Sequence, residues 1–204
     1  MKRHFLLMVV AVISLTVLGG IEAKAQSTDS DKVEIGAQFS FIHFNDLASN
    51  DIGIGGRIGY NLADTGGISL GVEAEANYFP SDKKNIDLFT GVGQGGRKTN
   101  VLVGPKIGFR SSRWGIFGKF DLGAIHFSRD LFTDVTPGDT DFAFDFGGVV
   151  EMYPTRHTYL RLDVADMVFR IPGSTVNLGN GVLGTVPAFY SHNFELSLGA
   201  GVRF

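Results

Sequence analysis

A few residues in this chain have types and spacings that could do chemistry. In Ile125-His126-Phe127-Ser128-Arg129-Asp130, His126 and Ser128 stand two apart and share one face if the segment is extended. A histidine beside a serine is the base and nucleophile of an acyl-transfer site, which also needs a carboxylate to orient the imidazole and donors for the oxyanion. No glutamate follows until Glu151, whose parity puts it on the opposite face, so Asp130, Asp134 or Asp139 would have to serve from a loop. His43 and His192 are two potential metal ligands without a third. Lys83, Lys84, Arg97 and Lys98 frame one long loop as solvated charge that can meet phosphates. The run Gly91-Val92-Gly93-Gln94-Gly95-Gly96 matches G-x-G-x-x-G by letter only, because no buried strand precedes it and no helix follows to aim amides at a phosphate.

What could position these groups is set by the rest of the chain. Of the 204 residues, the first 25 read as a secretory signal: Lys2 and Arg3, the apolar run Phe5–Leu18, then Ala23-Lys24-Ala25 before a cleavage point. The run is too short to span a bilayer as a helix, which needs about 20 apolar residues. Cleavage makes 26–204 the mature domain, beginning at Gln26. It removes three cations and one acid, so the formal charge falls from -3 to -5, and nothing in that balance points to nucleic acid. The absence of cysteine excludes a disulfide framework and a lipid-anchored N-terminus.

Period-two alternation recurs along the mature chain, bounded by Gly, Asp, Asn, Ser and Pro, and no useful helical spacing appears. Eight strands are expected at Val33–Phe41, Ile52–Leu62, Ile68–Tyr78, Thr99–Arg110, Trp114–Ala124, Phe142–Tyr153, Thr158–Ala165 and Asn193–Phe204. Tight turns (Ala63–Gly67, Ser111–Arg113, Pro154–His157) alternate with longer connections (His43–Asp51, Phe79–Lys98, His126–Asp141, Asp166–His192). An even strand number with short turns at one end and long loops at the other is the pattern of an all-β, antiparallel, up-and-down transmembrane β-barrel.

Charge sorts by face. One face collects Ile35, Ile58, Val72, Val103, Ile116, Leu162, Leu198 and their like without a single charge. The other carries Glu34, Arg57, Glu73, Glu75, Lys106, Arg110, Lys119, Asp121, Asp145, Glu151, Arg161, Asp163, Glu195 and Arg203, eight acids against six bases, mixed with small residues. A soluble periplasmic calycin-like ligand-binding barrel would alternate in the same way with inside and outside exchanged. Three features favour the membrane: aromatic residues at strand ends (Phe41, Tyr60, Tyr78, Phe109, Trp114, Phe204), many glycines on the polar face (Gly53, Gly55, Gly59, Gly104, Gly108, Gly199, Gly201), and no helix after the last strand.

The mature chain resembles the small eight-stranded outer-membrane barrels, the OmpA/OmpX-type transmembrane family. The most specific match is the last strand, where Phe194, Leu196, Leu198, Ala200, Val202 and Phe204 alternate to a terminal aromatic. In that family this is the segment read by the outer-membrane assembly machinery, which the resemblance implies as a partner. Tyr159-Leu160-Arg161-Leu162-Asp163-Val164 is similar to the penultimate strand of such barrels. The resemblance further implies a cell outer membrane location, contact with outer-membrane lipids and lipopolysaccharide, an unidentified extracellular ligand for the loops, and a lumen plugged by acid–base pairs. The peptidoglycan-binding domain of larger members is not expected after Phe204. Pro105 lies inside a strand, where its missing N–H requires a bulge or a register shifted by one. His126 and Ser128 resemble the His-x-Ser of outer-membrane lipid A 3-O-deacylases, whose acid is a glutamate. The expectation is an integral membrane protein with a structural or surface-interaction role carried by its long loops. A narrow porin-like channel and a lipid A hydrolase are the alternatives. No enzymatic activity, cofactor, catalytic residue or metal ligand is assigned.

Overall fold

The computed structural model describes residues 32–46, 49–80, 85–86, 93–94, 96–128, 140–171, 173–177 and 183–204. The leader, Lys83, Lys84, Gly91, Val92, Gly95, Asp130, Asp134 and Asp139 lie outside the described residues. Eight strands dominate: β1 Val33–Phe44, β2 Ser49–Thr65, β3 Ile68–Phe79, β4 Lys98–Arg110, β5 Trp114–Phe127, β6 Thr140–Met152, β7 Thr158–Ile171 and β8 Phe189–Arg203. Each pairs antiparallel with its neighbour in sequence, and β1 pairs with β8 to close the sheet. Closure leaves the sheet no open edge, which hydrocarbon requires. Two short hairpins, Asn85–Ile86 with Gly93–Gln94 and Ser174–Asn177 with Leu183–Val186, lie within long connections.

The stagger of the wall follows from the register. Partner to partner, His126 leads through Thr99, Tyr78, Ile54, Phe39, Leu198, Leu162 and Val150 back to β5 at Ile116, ten residues from the start. Barrel closure with such a stagger tilts the strands by about 40°. The 14 residues of β5, at about 3.3 Å each and tilted by about 40°, then rise about 35 Å, against an apolar band about 25 Å tall. Part of the barrel therefore stands outside the hydrocarbon.

The faces sort as the alternation requires. Outward residues of the middle and lower wall, such as Ile58, Val103, Ile107, Ile116 and Leu198, are all about half exposed. Of the 14 charged residues expected inside, 12 are buried and the other two, Arg110 and Arg203, are half-buried.

The strands run further toward the long loops than expected. β1 reaches Phe44 and β2 begins at Ser49, its register partner, so the long loop expected over His43–Asp51 shrinks to residues 45–48. β7 continues to Ile171 and β8 begins at Phe189. The cause is an inversion of polarity: His43, His126, Arg170 and His192 point outward here, while Ile42, Phe44, Phe127, Met167, Phe169 and Ile171 point in. Backbone pairing continues where the apolar-outward pattern stops.

Pro105 corrects another expectation. Its register with Val72 on β3 is unbroken, and on the β5 side Val103 with Leu122 and Lys106 with Lys119 stay in phase around an unpaired Gly104-Pro105. The missing N–H is absorbed by a gap in one ladder. The bulge lies instead at Leu62, between Asn61 and Ala63, beside the β2–β3 turn. There Gly66 (φ 61°) and Gly67 (φ 89°) supply the two left-handed positions that a two-residue hairpin demands.

Candidate functional site

The lumen is the place where polar groups from all eight strands meet. On the short-turn side it holds an ionic network. Arg161 of β7 clamps Glu73 of β3 with two hydrogen bonds of 2.7 Å, donates to Asp163 at 2.8 Å and reaches Glu151 at 3.2 Å. Lys106 donates to Glu34 at 2.9 Å and to Glu151 at 3.0 Å. Arg57 joins Asp163 (2.9 Å) and Glu75 (3.3 Å) and donates to Gln38, while Lys119 faces Asp145 (2.9 Å), Asp121 (3.3 Å) and Glu75 (3.5 Å). Charges this deep survive only because each cation touches several carboxylates.

Aromatic rings close the bottom of the network. Lys106 Nζ lies 4.9 Å from the Phe117 ring centre, and Arg110 donates to the Tyr153 hydroxyl at 3.0 Å. Tyr153 in turn donates to Glu151 at 2.7 Å; burial and that carboxylate hold its phenol above the ordinary range. The inward glycines make room for rings as well as for charges. A Cβ on Gly53 would stand 2.6 Å from the Phe79 ring, and one on Gly201 at 2.6 Å from the Tyr159 hydroxyl.

Above the network the interior turns apolar. Ile42, Phe44, Phe79, Leu102, Ile125, Phe127, Ala143, Met167, Phe169 and Ile171 form one cluster with at most 2% exposure. Phe169 packs at 6.1 Å against Phe44 and 5.4 Å against Phe127, centre to centre. One ion pair penetrates it: Lys98 bonds Asp51 at 2.5 Å and sits 4.9 Å over the Phe44 ring. Lys98 is therefore no loop cation. It belongs to β4 and points inward, because the strand starts earlier than expected.

The candidate hydrolase pair is arranged differently. His126 points outward near the end of β5 and Ser128 is exposed just beyond the strand, but the residue facing His126 across β5 and β6 is Thr140, whose hydroxyl lies 2.9 Å from Nδ1. Glu151 is fully buried inside the lumen. The Ser128 N–H donates to the Arg97 carbonyl at 2.9 Å. Of the two histidines that could be metal ligands, His43 bonds Asn50 at 2.6 Å and His192 bonds Asp166 at 2.8 Å. Asp166 belongs to strand β7, not to a loop, and so supplies an acid that the sequence alone does not place beside His192. Among the described residues no three side chains are grouped to hold a metal ion.

Residues 13–204 match the family described as "Outer membrane protein beta-barrel domain". The chain belongs to that family. It is an integral protein of the cell outer membrane, crossing with strands; among the described residues no helix is long and apolar enough to cross. The fold is similar to that of the N-terminal β-barrel domain of OprF from Pseudomonas aeruginosa, at 14% identity, a TM-score of 0.53, and coverage of 86% of this chain and 98% of that one. It is also similar to outer membrane protein AlkL, solved by solid-state NMR in lipid bilayers, at 18% identity, TM-score 0.52, and coverage of 90% and 95%. A major outer membrane protein from Thermus thermophilus matches at 14% identity, TM-score 0.51, and coverage of 84% and 99%. No curated protein matches the chain. At these identities the likeness establishes the barrel and leaves the role to this chain's own side chains.

Proposed function

We propose that the protein is a closed, non-conducting and non-enzymatic barrel that holds its outward connections, residues 80–97, 128–139 and 172–188, in the outer membrane for contact with an extracellular ligand. Residues 1–25 serve as its signal peptide and 26–204 form the mature barrel. The filling of the lumen carries this reading: an ionic network on the short-turn side and, above it, an apolar layer in which Ile42, Phe44, Phe79, Leu102, Ile125, Met167 and Phe169 have no exposed surface. An ion would have to break several buried pairs and then cross that apolar layer. Connections mounted on so rigid a wall are the natural place for recognition.

Planar-bilayer recording of the mature protein, isolated from outer membranes with an intact mass starting at Gln26, tests the reading. The expected record has no single-channel steps. Steps whose size changes on Lys119→Ala or Glu73→Ala would replace it with the narrow-porin reading. Lipid A ester hydrolysis abolished by Ser128→Ala would replace it with the hydrolase.

A further inference from the structure

The short-turn rim carries charge of a different kind from the lumen. Around six consecutive strand ends the basic residues Lys32, Arg203, His157, Arg156, Arg113 and Arg110 follow one another, from β1 through β8, β7, β6 and β5 to β4. Among the described residues no exposed carboxylate side chain lies on this arc; Asp64, near the end of β2, pairs with Arg110 at 3.5 Å.

Within the arc, Arg113 and Arg156 stand out. Both are exposed, and among the described residues neither guanidinium has an ion-pair partner, whereas Arg57, Lys98, Lys106, Arg110, Lys119 and Arg161 each have at least one carboxylate within 4.0 Å. Their backbones are nevertheless fixed. Tyr153 N–H donates to the Arg113 carbonyl at 2.9 Å, Ser111 N–H to the Trp114 carbonyl at 2.8 Å, and Arg203 Nε to the Arg156 carbonyl at 2.6 Å. The β4–β5 turn is thereby tied to the end of β6, and the β6–β7 turn to β8, with both arginines exposed.

The depth of the pair is set by what lies next to it. Trp114, Met152 and Phe204 are each about half exposed on the outer wall at the same end. Such an aromatic and apolar fringe sits at the junction of hydrocarbon and headgroups, and long basic side chains beside it extend into the headgroup layer. Short turns of outer-membrane barrels face the periplasm, so basic side chains at that level are within reach of headgroup phosphates of the periplasmic leaflet.

We propose that Arg113 and Arg156 form a binding site for an anionic glycerophospholipid headgroup on the periplasmic rim of the barrel. A phosphodiester offers acceptors that match two guanidiniums, and its negative charge is not compensated by an ammonium as it is in a zwitterionic lipid.

The chain's single tryptophan, Trp114, stands next to Arg113 and is the reporter. The mature barrel is folded into vesicles of phosphatidylcholine containing equal mole fractions of either brominated phosphatidylglycerol or brominated phosphatidylcholine, and quenching of Trp114 is compared. Phosphatidylglycerol is expected to occupy the Trp114 site on the order of fivefold more strongly for each guanidinium engaged. Arg113→Gln with Arg156→Gln should bring the two lipids to parity. Both positions are exposed, and a retained gel-mobility shift on boiling verifies that the variant is folded. Equal quenching of the native protein by the two lipids would overturn the proposal, as would a preference that survives the double substitution. Loss of the lipid preference on adding soluble peptidoglycan fragments at vesicle-saturating protein would move the site to a cell-wall carboxylate and equally overturn it.

Discussion

The barrel is two structures stacked on one set of strands. In the lower storey the wall is apolar outside and ionic inside, as in Ile58 beside Arg57 or Leu162 beside Arg161. In the upper storey the same strands are polar outside and apolar inside, as in His126 beside Phe127 or Arg170 beside Phe169. The sign change tracks the solvent. Where the wall meets hydrocarbon, charge can live only in the lumen, and where it meets water, the hydrophobic effect packs the interior as it would in a soluble barrel. A backbone ladder that is indifferent to side chains lets both solutions share one closed sheet.

The largest test of this division removes an inner cation. Arg161→Ala leaves Glu73, Glu151 and Asp163 without the guanidinium that holds them. It should cost about 3–5 kcal/mol, read by urea unfolding in phospholipid vesicles with Trp114 fluorescence. A loss below about 1 kcal/mol, the range of a solvated pair, would mean that water screens the lower lumen and that the network is not sealed. Next in size, Val103→Arg places a cation on the lipid-facing wall and should cost about 2–4 kcal/mol in the same assay. An unchanged midpoint there would put Val103 outside the hydrocarbon.

The lower storey is legible in the sequence because its alternation is uninterrupted: every expected outward residue from Ile52 to Tyr78 lies outward, and every expected inward charge lies in the lumen or at its mouth. The upper storey is not, and for a physical reason. Apolar-outward alternation ends where polarity inverts, so by that pattern Asp51, Lys98 and Asp166 fall in loops although each lies on a strand. The signal is present as apolar residues still recurring every second position, Met167-Phe169-Ile171, on the other face. Pairing inside the lumen is beyond the reach of local pattern, because Glu73 and Arg161 are 88 residues apart and on strands that do not touch. Only closure of the sheet across its diameter brings them together.

A smaller perturbation probes the packing of the upper interior. Ile125→Val removes one methylene from a side chain with no exposed surface and should cost about 1 kcal/mol. A neutral result would show slack in the layer that closes the lumen. The same unfolding assay reads it, and bilayer recording of this variant should stay silent, since one methylene leaves no path for an ion.

The smallest expected effect sharpens the comparison most. His126→Arg introduces on the outward face of β5 the same charge as Val103→Arg does on the neighbouring β4, four ladder rungs nearer the loops, since Thr99 is the partner of His126. If the upper wall stands in water, the arginine is solvated and loses only the His126–Thr140 hydrogen bond, so the change should stay within about 0.5 kcal/mol. If it instead costs as much as Val103→Arg, the hydrocarbon reaches Thr99 and His126, and the inversion of polarity has some cause other than water. The difference between two arginines a few rungs apart thus locates the edge of the bilayer on this wall and decides whether the apolar interior is a membrane feature or a soluble core raised above the membrane.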